Sequence, residues 1–413
     1  MKGHPGAAGK VFGALGRHNI VVSAIAQGAS DRNISCVVDA AQQSRALNVI
    51  HQGFFEPKKL LSLVLIGVGN IGSTVLRQLA EQRSFLLEQG FDVKVVAIAN
   101  SKRFLVRPSG IDLSNWREQL ASATHRMDPA KLAQEIGKLQ LANGALLDCT
   151  ADSSIVEAYP LFIDANLHVI TPNKRANTLP WRRYKALREQ FVARQKHFLF
   201  ETNVGAGLPI ISTLRDLVVS GDVVTKVEGV FSGTLSYLFN TFDGSAPFSG
   251  LVADALRLGF TEPDPREDLS GQDVARKLLV LARQIGMKMD LDDVRVDSLV
   301  PRQLTTGPFS QRFFSEYAAF DADMAQRLQT ARAHDAVLRY VGTFENGRAL
   351  AELKEFPSSH PFATTQGADN IIAFTTKRYA RTPLVVQGPG AGADVTAMGV
   401  FSDILKLLNY LPH

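Results

Sequence analysis

The stretch LSLVLIGVGNIG, residues 61–72, decides the fold of the region that follows it. An apolar run typical of a buried strand leads into three glycines spaced GxGxxG, directly before a helical pattern that starts near Ser73. In such a turn Gly67 makes the tight reversal, Gly69 lets a pyrophosphate approach the backbone, and Gly72 lets helix and strand pack closely. The pattern predicts a dinucleotide site on a helix N-terminus, although a strand-to-helix turn without a ligand is the alternative. The predicted cofactor contacts here are Gly67, Gly69, Asn70, Ile71 and Gly72.

Similar strands recur from Leu63 to about Phe200. The apolar runs VKVVAIA, GALLDCT, LHVIT and HFLFE alternate with helical segments such as STVLRQLAEQ. This alternation is typical of parallel strands covered on both faces by helices. Residues 61–200 are therefore predicted to form a Rossmann-type, doubly wound α/β domain.

The pattern changes after Gly205. LPIISTLRDLVV and GQDVARKLLVLARQIG have helical periodicity, whereas VTKVEGVFSGT, VLRYVGTFE and RALAELKEF resemble antiparallel strands. Residues 201–375 are predicted to form a mixed α+β domain for substrate binding and dimerisation. The last segment, 376–413, contains a glycine-rich turn with Gly390, a predicted cofactor contact, and a long apolar helix that would complete the first domain.

Residues 1–55 have the pattern of a small α+β unit with a thin sheet and open edges. The turns GRHN and GASDRN separate its elements, and a polar joint, Glu56–Lys59, follows it. A missing first strand or a partner chain would complete such a sheet. The predicted elements are a helix over Ala7–Leu15, strands over Ile20–Ala26 and Ile34–Val38, and a helix over Ser44–Phe54.

Composition indicates an ordinary soluble enzyme. Of 413 residues, 45% are hydrophobic and 21% charged, and the net charge of +5 is spread without the basic block that nucleic-acid binding needs. No apolar run is long enough for a membrane span, and the N-terminus lacks a signal peptide's apolar core. Cys36 and Cys149, the two cysteines, lie in apolar runs and are predicted to be buried thiols in a reducing compartment. A cytoplasmic location is expected.

The strand VVAIA is followed by four residues without a carboxylate: Asn100, Ser101, Lys102 and Arg103. An acidic residue at this position binds the ribose 2′-hydroxyl of NAD, whereas basic residues accommodate the 2′-phosphate of NADP. The sequence therefore favours NADP, unless both basic residues are ordinary loop charges.

The next two strands end in polar residues at the edge where such sheets bind ligands. Thr150 and Ser153 follow GALLDCT and are predicted to contact the cofactor. Lys174 follows LHVIT in the sequence TPNK, where it is predicted to reach the same crevice. A turn with only a structural role is the alternative.

An acidic, proline-stiffened loop begins at Glu262 and leads through Asp268 into a helix with Asp273 and Lys277. A spacing of four puts the last two on one helical face, where the carboxylate can orient the ammonium group. An ordinary surface ion pair is the alternative that this spacing alone favours.

These residues resemble homoserine dehydrogenase. The similarity runs from about Leu61 to the C-terminus and rests on GVGNIG, ITPNKRAN, ETNVGAGLPI, FSGT and TEPDPREDLSGQDVARK. The family interconverts homoserine and aspartate 4-semialdehyde with NAD(P)H, on the pathway to threonine and methionine. The resemblance implies NADPH as the cofactor here and a homodimer formed through the second domain.

The resemblance also implies a role for each matching residue. Lys277 would donate a proton to the substrate carbonyl, Asp273 would position it, and Lys174 would assist. A lysine needs a lowered pKa for this task at neutral pH. Glu262 would bind the substrate ammonium group, with Asp268, Gly233 and Thr234 lining the rest of the pocket.

A monovalent cation, commonly Na⁺, is implied for the segment ETNVGAGL. Oxygen ligands from a glycine-rich loop suit a hard cation, although the same turn can exist without one. The implied ligands are the Glu201 side chain and the carbonyls of Val204, Ala206 and Leu208.

Residues 1–54 resemble the second ACT module of bifunctional aspartokinase/homoserine dehydrogenases, through GHPGAAGKVFGAL and NIVVSAIAQGASDRNISCVVD. The chain resembles the C-terminal part of such a protein, which is normally fused to an aspartokinase.

Two other functions are considered. An aspartate-semialdehyde dehydrogenase would need Cys149 as its nucleophile, but this residue is predicted inside a strand with no histidine nearby in sequence. An inactive regulatory amino-acid-binding protein is disfavoured by the intact set Glu262, Asp268, Asp273 and Lys277.

Overall fold

The computed structural model describes residues 6–27, 33–55 and 58–411, which fall into two compact units. Most of the predicted turn GASDRN and the first two residues of the polar joint lie outside the described residues. The first unit comprises Met1–Asn173, Ala186–Phe200 and Val400–His413, and the second comprises Lys174–Lys185 and Glu201–Gly399.

The predicted N-terminal α+β unit is confirmed. Its two strands pair antiparallel, with Ile25 opposite Cys36. Helix residues such as Leu15 and Val49 form its core, together with Ala142 from the segment before a later strand. The N-terminal unit therefore contacts the segment before that later strand through apolar side chains. Its elements are α1 (Ala7–Arg17), β1 (Val22–Gln27), β2 (Ile34–Val38) and α2 (Gln43–Phe55).

The first unit also contains a seven-stranded sheet of order β6-β5-β4-β3-β7-β8-β9. Five adjacent strands run parallel to one another, namely β4, β3, β7, β8 and β9, which confirms the predicted doubly wound architecture. The strands are β3 (Lys59–Ile66), β4 (Phe91–Ala99), β5 (Arg103–Val106), β6 (His125–Arg126), β7 (Gly144–Asp148), β8 (Leu167–Ile170) and β9 (Phe198–Leu199). The helices are α3 (Asn70–Glu88), α4 (Trp116–Ala121), α5 (Pro129–Lys138), α6 (Ser153–Glu157), α7 (Tyr159–Asp164) and α8 (Trp181–Ala193).

The second unit contains a six-stranded sheet of order β11-β13-β12-β10-β14-β15. All pairs are antiparallel except β11 with β13, so the predicted mixed α+β domain is confirmed. The strands are β10 (Val224–Val230), β11 (Val294–Val296), β12 (Ala336–Glu345), β13 (Arg348–Pro357), β14 (Asp369–Thr376) and β15 (Leu384–Pro389). The helices are α9 (Ile210–Val219), α10 (Gly233–Thr241), α11 (Phe248–Arg257), α12 (Pro265–Leu269), α13 (Gln272–Gln284), α14 (Arg312–Tyr317), α15 (Asp321–Ala333) and α16 (Ala393–Tyr410).

The C-terminal segment is divided between the units. The sequence predicted that all of 376–413 completes the first domain, but β15 pairs with β14 in the second sheet. Only the part from Val400 onward belongs to the first unit. There Lys59 Nζ donates to the carbonyls of Leu408 and Leu411, at 2.8 and 2.7 Å, and so fixes the end of α16.

Three local features differ from the sequence predictions. The predicted strand VTKVEGVFSGT ends at Val230, before FSGT, and Gly233 begins α10, because the Ser232 hydroxyl caps that helix. Strand β7 ends at Asp148, so Cys149 lies just beyond it. Cys36 and Cys149 are both free, as predicted, but both are partly rather than fully buried. Within the described ranges no helix has the length and apolarity of a membrane span.

Candidate active site

The glycine turn of the first unit has the geometry that its spacing predicts. Helix α3 starts at Asn70, three residues earlier than expected. Gly67 has φ of +94°, and a Cβ there would lie 2.8 Å from the Cys149 carbonyl. A Cβ on Gly72 would lie 2.0 Å from the Gly67 oxygen, whereas one on Gly69 would meet nothing within 4 Å. The space over Gly69 is therefore open to a phosphate, as a dinucleotide requires.

The segment after β4 is a tight hairpin rather than a loop. The side chain of Asn100 accepts from the amides of Lys102 (2.8 Å) and Arg103 (2.9 Å), which turns the chain into β5. The Arg103 guanidinium donates to the carbonyls of Ala121 and Ala123, just after the end of α4. Ser101 and Lys102 are exposed.

A cavity of about 350 Å³ lies between this hairpin and α4. The guanidinium of Arg117 lies 4.5 Å from the ring of Trp116, which is itself buried. No motif in α4 predicts either residue, although a tryptophan next to an arginine in sequence is one signal for a cation–π contact. The cavity is lined by Val68, Asn100, Arg103, Trp116, Arg117, Leu120 and Ala121.

A buried carboxylate shapes the ends of β7 and β8. Asp148 is fully buried and accepts from the Thr150 hydroxyl (2.6 Å), the Tyr159 hydroxyl (2.7 Å) and the Asn173 side chain (3.1 Å). Burial raises the pKa of Asp148, and these donors oppose the shift. The network fixes Thr150 at the edge of the sheet, while Asp152 caps α6 and places Ser153 at its first position.

Three charged side chains meet in the second unit: Asp273 and Lys277, whose four-residue spacing predicted their contact, and Lys174, which the sequence predicted within the first domain and which belongs to the second unit. The Asp273 carboxylate contacts Lys277 Nζ at 2.8 Å through one oxygen and Lys174 Nζ at 3.1 Å through the other. Lys277 is only 9% exposed, whereas the Asp273 side chain is 37% exposed. One carboxylate thus joins the two lysines, which come from segments a hundred residues apart in sequence.

The pKa values of this trio shift in opposite directions. Burial lowers the pKa of Lys277, and Lys174 lowers it further, while Asp273 and Asp268 oppose the shift. Burial works against ionisation of Asp273, but Lys277 and Lys174 together hold its pKa well below the usual range. Asp273 is therefore a fixed anion, and burial shifts the pKa of Lys277 downward, in the direction that proton transfer by a lysine requires.

Lys277 has a second acceptor, the main-chain carbonyl of Phe231, at 2.7 Å. The same oxygen accepts from Asn370 Nδ2 at 3.0 Å. Asn370 is fully buried, and a Cβ on Gly390 would lie 2.0 Å from its Cγ. Gly390, predicted as a cofactor contact, thus packs directly against Asn370, a residue that the sequence analysis missed.

The acidic loop comes close to the lysine pair. Asp268 Oδ2 accepts from the Glu262 amide at 2.8 Å, and the Thr234 hydroxyl lies beside Asp268. Burial, and then Asp268, raise the pKa of the exposed Glu262 side chain, while Lys174 opposes the shift. Thr234 Oγ1 further donates to the Phe260 carbonyl at 2.7 Å.

Gly233, next to Thr234, packs closely against two alanines of the second unit. A Cβ there would lie 3.3 Å from both the Ala368 carbonyl and the Ala391 Cβ. The predicted substrate residues of the second unit are therefore neighbours, and they present carboxylates that suit a cationic amino group. These residues are Gly233, Thr234, Glu262 and Asp268.

The segment predicted to bind a cation has a clear structural role. The Glu201 carboxylate is buried and accepts from the amides of Ile211 (2.7 Å) and Ser212 (3.1 Å) at the start of α9. The Leu208 carbonyl accepts from the Ile210 amide at 2.9 Å. Ala206 has φ of +52°, and Val204 is fully buried. The donor set consists of hard oxygens, which fit a monovalent cation.

Three family models match the chain. The model described as homoserine dehydrogenase matches residues 209–405, and that described as homoserine dehydrogenase, NAD binding domain, matches residues 67–201. An ACT domain model matches residues 1–54. Together they extend over the N-terminal unit and both large sheets.

Curated proteins that the chain resembles are named bifunctional aspartokinase/homoserine dehydrogenases. The chain is 46% identical to bifunctional aspartokinase/homoserine dehydrogenase 1, chloroplastic, of Arabidopsis thaliana, over 100% of this chain and 46% of that protein. It is 39% identical to the bifunctional aspartokinase/homoserine dehydrogenase of Haemophilus influenzae, over 99% of this chain and 50% of that protein. The chain therefore spans about half the length of these curated relatives.

Solved structures share the fold. A Candida auris protein of unknown function superposes with a TM-score of 0.80 at 35% identity, covering 86% of this chain and 99% of that one. A hyperthermophilic archaeal homoserine dehydrogenase in complex with NADPH superposes with a TM-score of 0.67 at 19% identity, covering 86% of this chain and 99% of that one.

Proposed function

This chain belongs to the homoserine dehydrogenase family, and we propose that it catalyses the NADP-dependent interconversion of L-homoserine and L-aspartate 4-semialdehyde. The observation that carries the proposal is the trio of Lys277, Asp273 and Lys174, in which one carboxylate fixes a buried lysine of lowered pKa. A proton donor of this kind is what the reduction of an aldehyde requires.

In the reduction direction, bound NADPH supplies a hydride to the carbonyl carbon of the semialdehyde. Lys277 donates a proton to the carbonyl oxygen, so that an alcohol forms and the lysine becomes neutral. Asp273 keeps the ammonium group in place, which favours the productive geometry without taking the proton itself. Lys174 assists by holding the second oxygen of that carboxylate at 3.1 Å.

The acidic loop would bind the other end of the substrate. The carboxylate of Glu262 is exposed beside Asp268 and receives the substrate's ammonium group in this proposal. Thr234 and Gly233 line the rest of the proposed substrate pocket. A hydroxyl group and a residue without a side chain leave room there for a small amino acid.

NADPH is the proposed cofactor, held by the glycine turn and by Thr150 and Ser153 at the edge of the sheet. The 2′-phosphate would be bound by Lys102 together with Arg117, whose guanidinium stands over Trp116 at the cavity beside the hairpin. The NADPH complex of the archaeal homoserine dehydrogenase has the same fold. Arg103, which holds α4, contributes less to this selectivity.

A monovalent cation, Na⁺, is proposed for the segment Glu201–Leu208, with the Glu201 carboxylate and the carbonyls of Val204, Ala206 and Leu208 as ligands. The support is chemical, since a carboxylate and three main-chain carbonyls are the hard oxygen ligands that such a cation takes. Its role would be structural, because Glu201 also caps α9. Exchange of NaCl for choline chloride should lower the Tm of the protein, and an unchanged Tm would remove the cation from the proposal.

The relatives combine aspartokinase and homoserine dehydrogenase in one protein. We propose that this chain corresponds to their dehydrogenase part, with homoserine dehydrogenase and not aspartokinase activity, and that it functions as a homodimer. Light scattering coupled to gel filtration would measure the oligomeric state, and a monomer active at assay concentrations would contradict the dimer.

The decisive test is NADPH oxidation with aspartate semialdehyde, measured with and without threonine. Consumption of NADPH that depends on the semialdehyde supports the proposal, and an inert protein that still binds amino acids would favour a regulatory role. A cysteine-based semialdehyde dehydrogenase is disfavoured, since burial and then Asp148 raise the pKa of Cys149 and suppress its thiolate. Complete inactivation by thiol alkylation, prevented by substrate, would restore that alternative.

A further inference from the structure

The main-chain carbonyl of Phe231 links Lys277 to a residue with no assigned role. Its oxygen accepts from Lys277 Nζ at 2.7 Å and from Asn370 Nδ2 at 3.0 Å. A peptide carbonyl has two lone pairs, so these two donors use its full accepting capacity. The amide of Asn370 therefore limits the directions in which the carbonyl can point toward Lys277.

The Asn370 side chain is itself held firmly. The residue is 0% exposed, near the start of β14, and opposite Gly388 of β15. A Cβ on Gly390 would lie within 2.3 Å of both polar atoms of its amide, so the backbone at Gly390 closes one side. The Ser236 hydroxyl donates to the Asp369 carbonyl at 2.7 Å and joins the start of the strand to α10.

The other polar atom of Asn370 indicates that this amide is not merely filling space. Its Oδ1 is buried and has no hydrogen-bond partner among the described residues. An unsatisfied buried acceptor is destabilising, and an apolar side chain of similar volume would avoid that cost. Among the described residues, the bond from Nδ2 to the Phe231 carbonyl is the hydrogen bond that the Asn370 side chain makes in return.

We propose that Asn370 is a positioning residue for Lys277, acting through the Phe231 carbonyl. The inference rests on the proposed function of Lys277 as the proton donor. An ammonium group has three N–H donors. Two are directed to Asp273 and to the Phe231 carbonyl, so fixing both acceptors aims the third at the substrate's carbonyl oxygen.

Asn370→Leu tests the proposal, because it removes the donor and keeps a similar volume. The turnover number for semialdehyde reduction should fall about tenfold while KM changes little, because the Lys277 ammonium group stays in the site but is no longer oriented toward the substrate. The charged groups facing Lys277 are Asp273, Lys174 and Asp268. If these groups are unchanged, a Phe231 carbonyl that is no longer held toward Lys277 stabilises its ammonium form less, and the pKa of Lys277 falls. The alkaline limb of the pH–rate profile should then move down by about one pH unit.

Asn370→Asp provides a conservative comparison. At acidic pH the protonated carboxyl can donate to the Phe231 carbonyl, so activity should approach that of the unchanged protein. It should fall as the carboxyl ionises, because a carboxylate has no proton to donate.

Asn143→Leu is the matched control. Asn143 is a buried asparagine of the first unit, and its Nδ2 likewise donates to a main-chain carbonyl, that of Leu60, at 3.3 Å. It should leave the pH–rate profile unchanged. An unchanged turnover number and profile in Asn370→Leu, or an equal shift in the control, would overturn the proposal.

A measurement that does not depend on catalysis distinguishes a failure of this inference from a failure of the proposed function. The pH dependence of Lys277 acylation by an amine reagent, followed by peptide mass spectrometry, reports the protonation of that lysine directly. A shifted curve in Asn370→Leu supports the positioning of Lys277 by Asn370, even if the protein reduces no semialdehyde. A lack of semialdehyde reduction would refute only the proposed function. An unshifted curve overturns the positioning role.

Discussion

The glycine turn at Gly67–Gly72 and the helix that carries Asp273 and Lys277 prepare their sites in different ways. In the turn, Gly67 and Gly72 stand where an added Cβ would lie only 2.0 to 2.8 Å from neighbouring backbone atoms. In the helix, charged side chains are present and are held by a lysine and a carbonyl from distant segments. The turn thus depends on a few consecutive residues and on the backbone at Cys149, whereas the side-chain site depends on charged groups from several distant segments.

This difference determines how each region should respond to substitution. In the turn, adding one methyl group should disturb folding or ligand approach, depending on where it points. In the helix, removing one charged group should affect chemistry far more than folding or cofactor binding. Five substitutions test the contrast.

The largest effect is expected for Lys277→Ala. Turnover in both directions should fall by about a hundredfold or more, since no other group replaces the proton donor. Cofactor binding should survive, because Asp273 keeps Lys174 as its partner. Steady-state assays and NADPH fluorescence titration measure the two quantities. Lys288→Ala, at an exposed lysine, is the control, and near-normal turnover in Lys277→Ala would refute its assignment.

The glycines should separate stability from affinity. Gly72→Ala puts a Cβ 2.0 Å from the Gly67 oxygen and should lower the free energy of unfolding by about 1–3 kcal/mol. Gly69→Ala puts a Cβ into open space and should leave Tm unchanged while weakening NADPH binding about tenfold. Thermal unfolding and titration distinguish them. Equal Tm losses would mean that the space over Gly69 serves packing and not a ligand.

Asp273→Asn tests the electrostatics of the lysine. Burial lowers the pKa of Lys277 and Asp273 opposes this, so removing the carboxylate should lower that pKa further. Reduction needs the protonated lysine, and its rate therefore falls as pH rises through this pKa. The alkaline limb should move to lower pH by about one unit or more. A limb that stays in place would assign it to another group.

The smallest effect is expected for Arg117→Ala. Loss of one exposed guanidinium near the proposed 2′-phosphate should weaken NADPH about fivefold and leave NADH unchanged, since only the former carries that phosphate. Arg107→Ala, another exposed arginine of the same unit, is the control. Equal weakening of both cofactors would show that Arg117 acts on the adenine or on α4 and not on the phosphate.

The sequence by itself determined the features that depend on neighbouring residues. Strand, glycine turn and helix are consecutive between Lys59 and Glu88, so their order and spacing predicted the first sheet and its ligand edge. The four-residue spacing of Asp273 and Lys277 likewise predicted their contact, because one helical turn brings such side chains together.

Tertiary structure alone decided the partners that come from distant segments. Lys174 on Asp273, Asn370 on the Phe231 carbonyl, and Arg117 beside the hairpin belong to no common motif in sequence. The division of the C-terminal segment at Val400 was likewise set by pairing of β15 with β14. Periodicity reports which face of an element is apolar, whereas burial, shared acceptors and shifted pKa values arise only when remote elements exclude water from the same place.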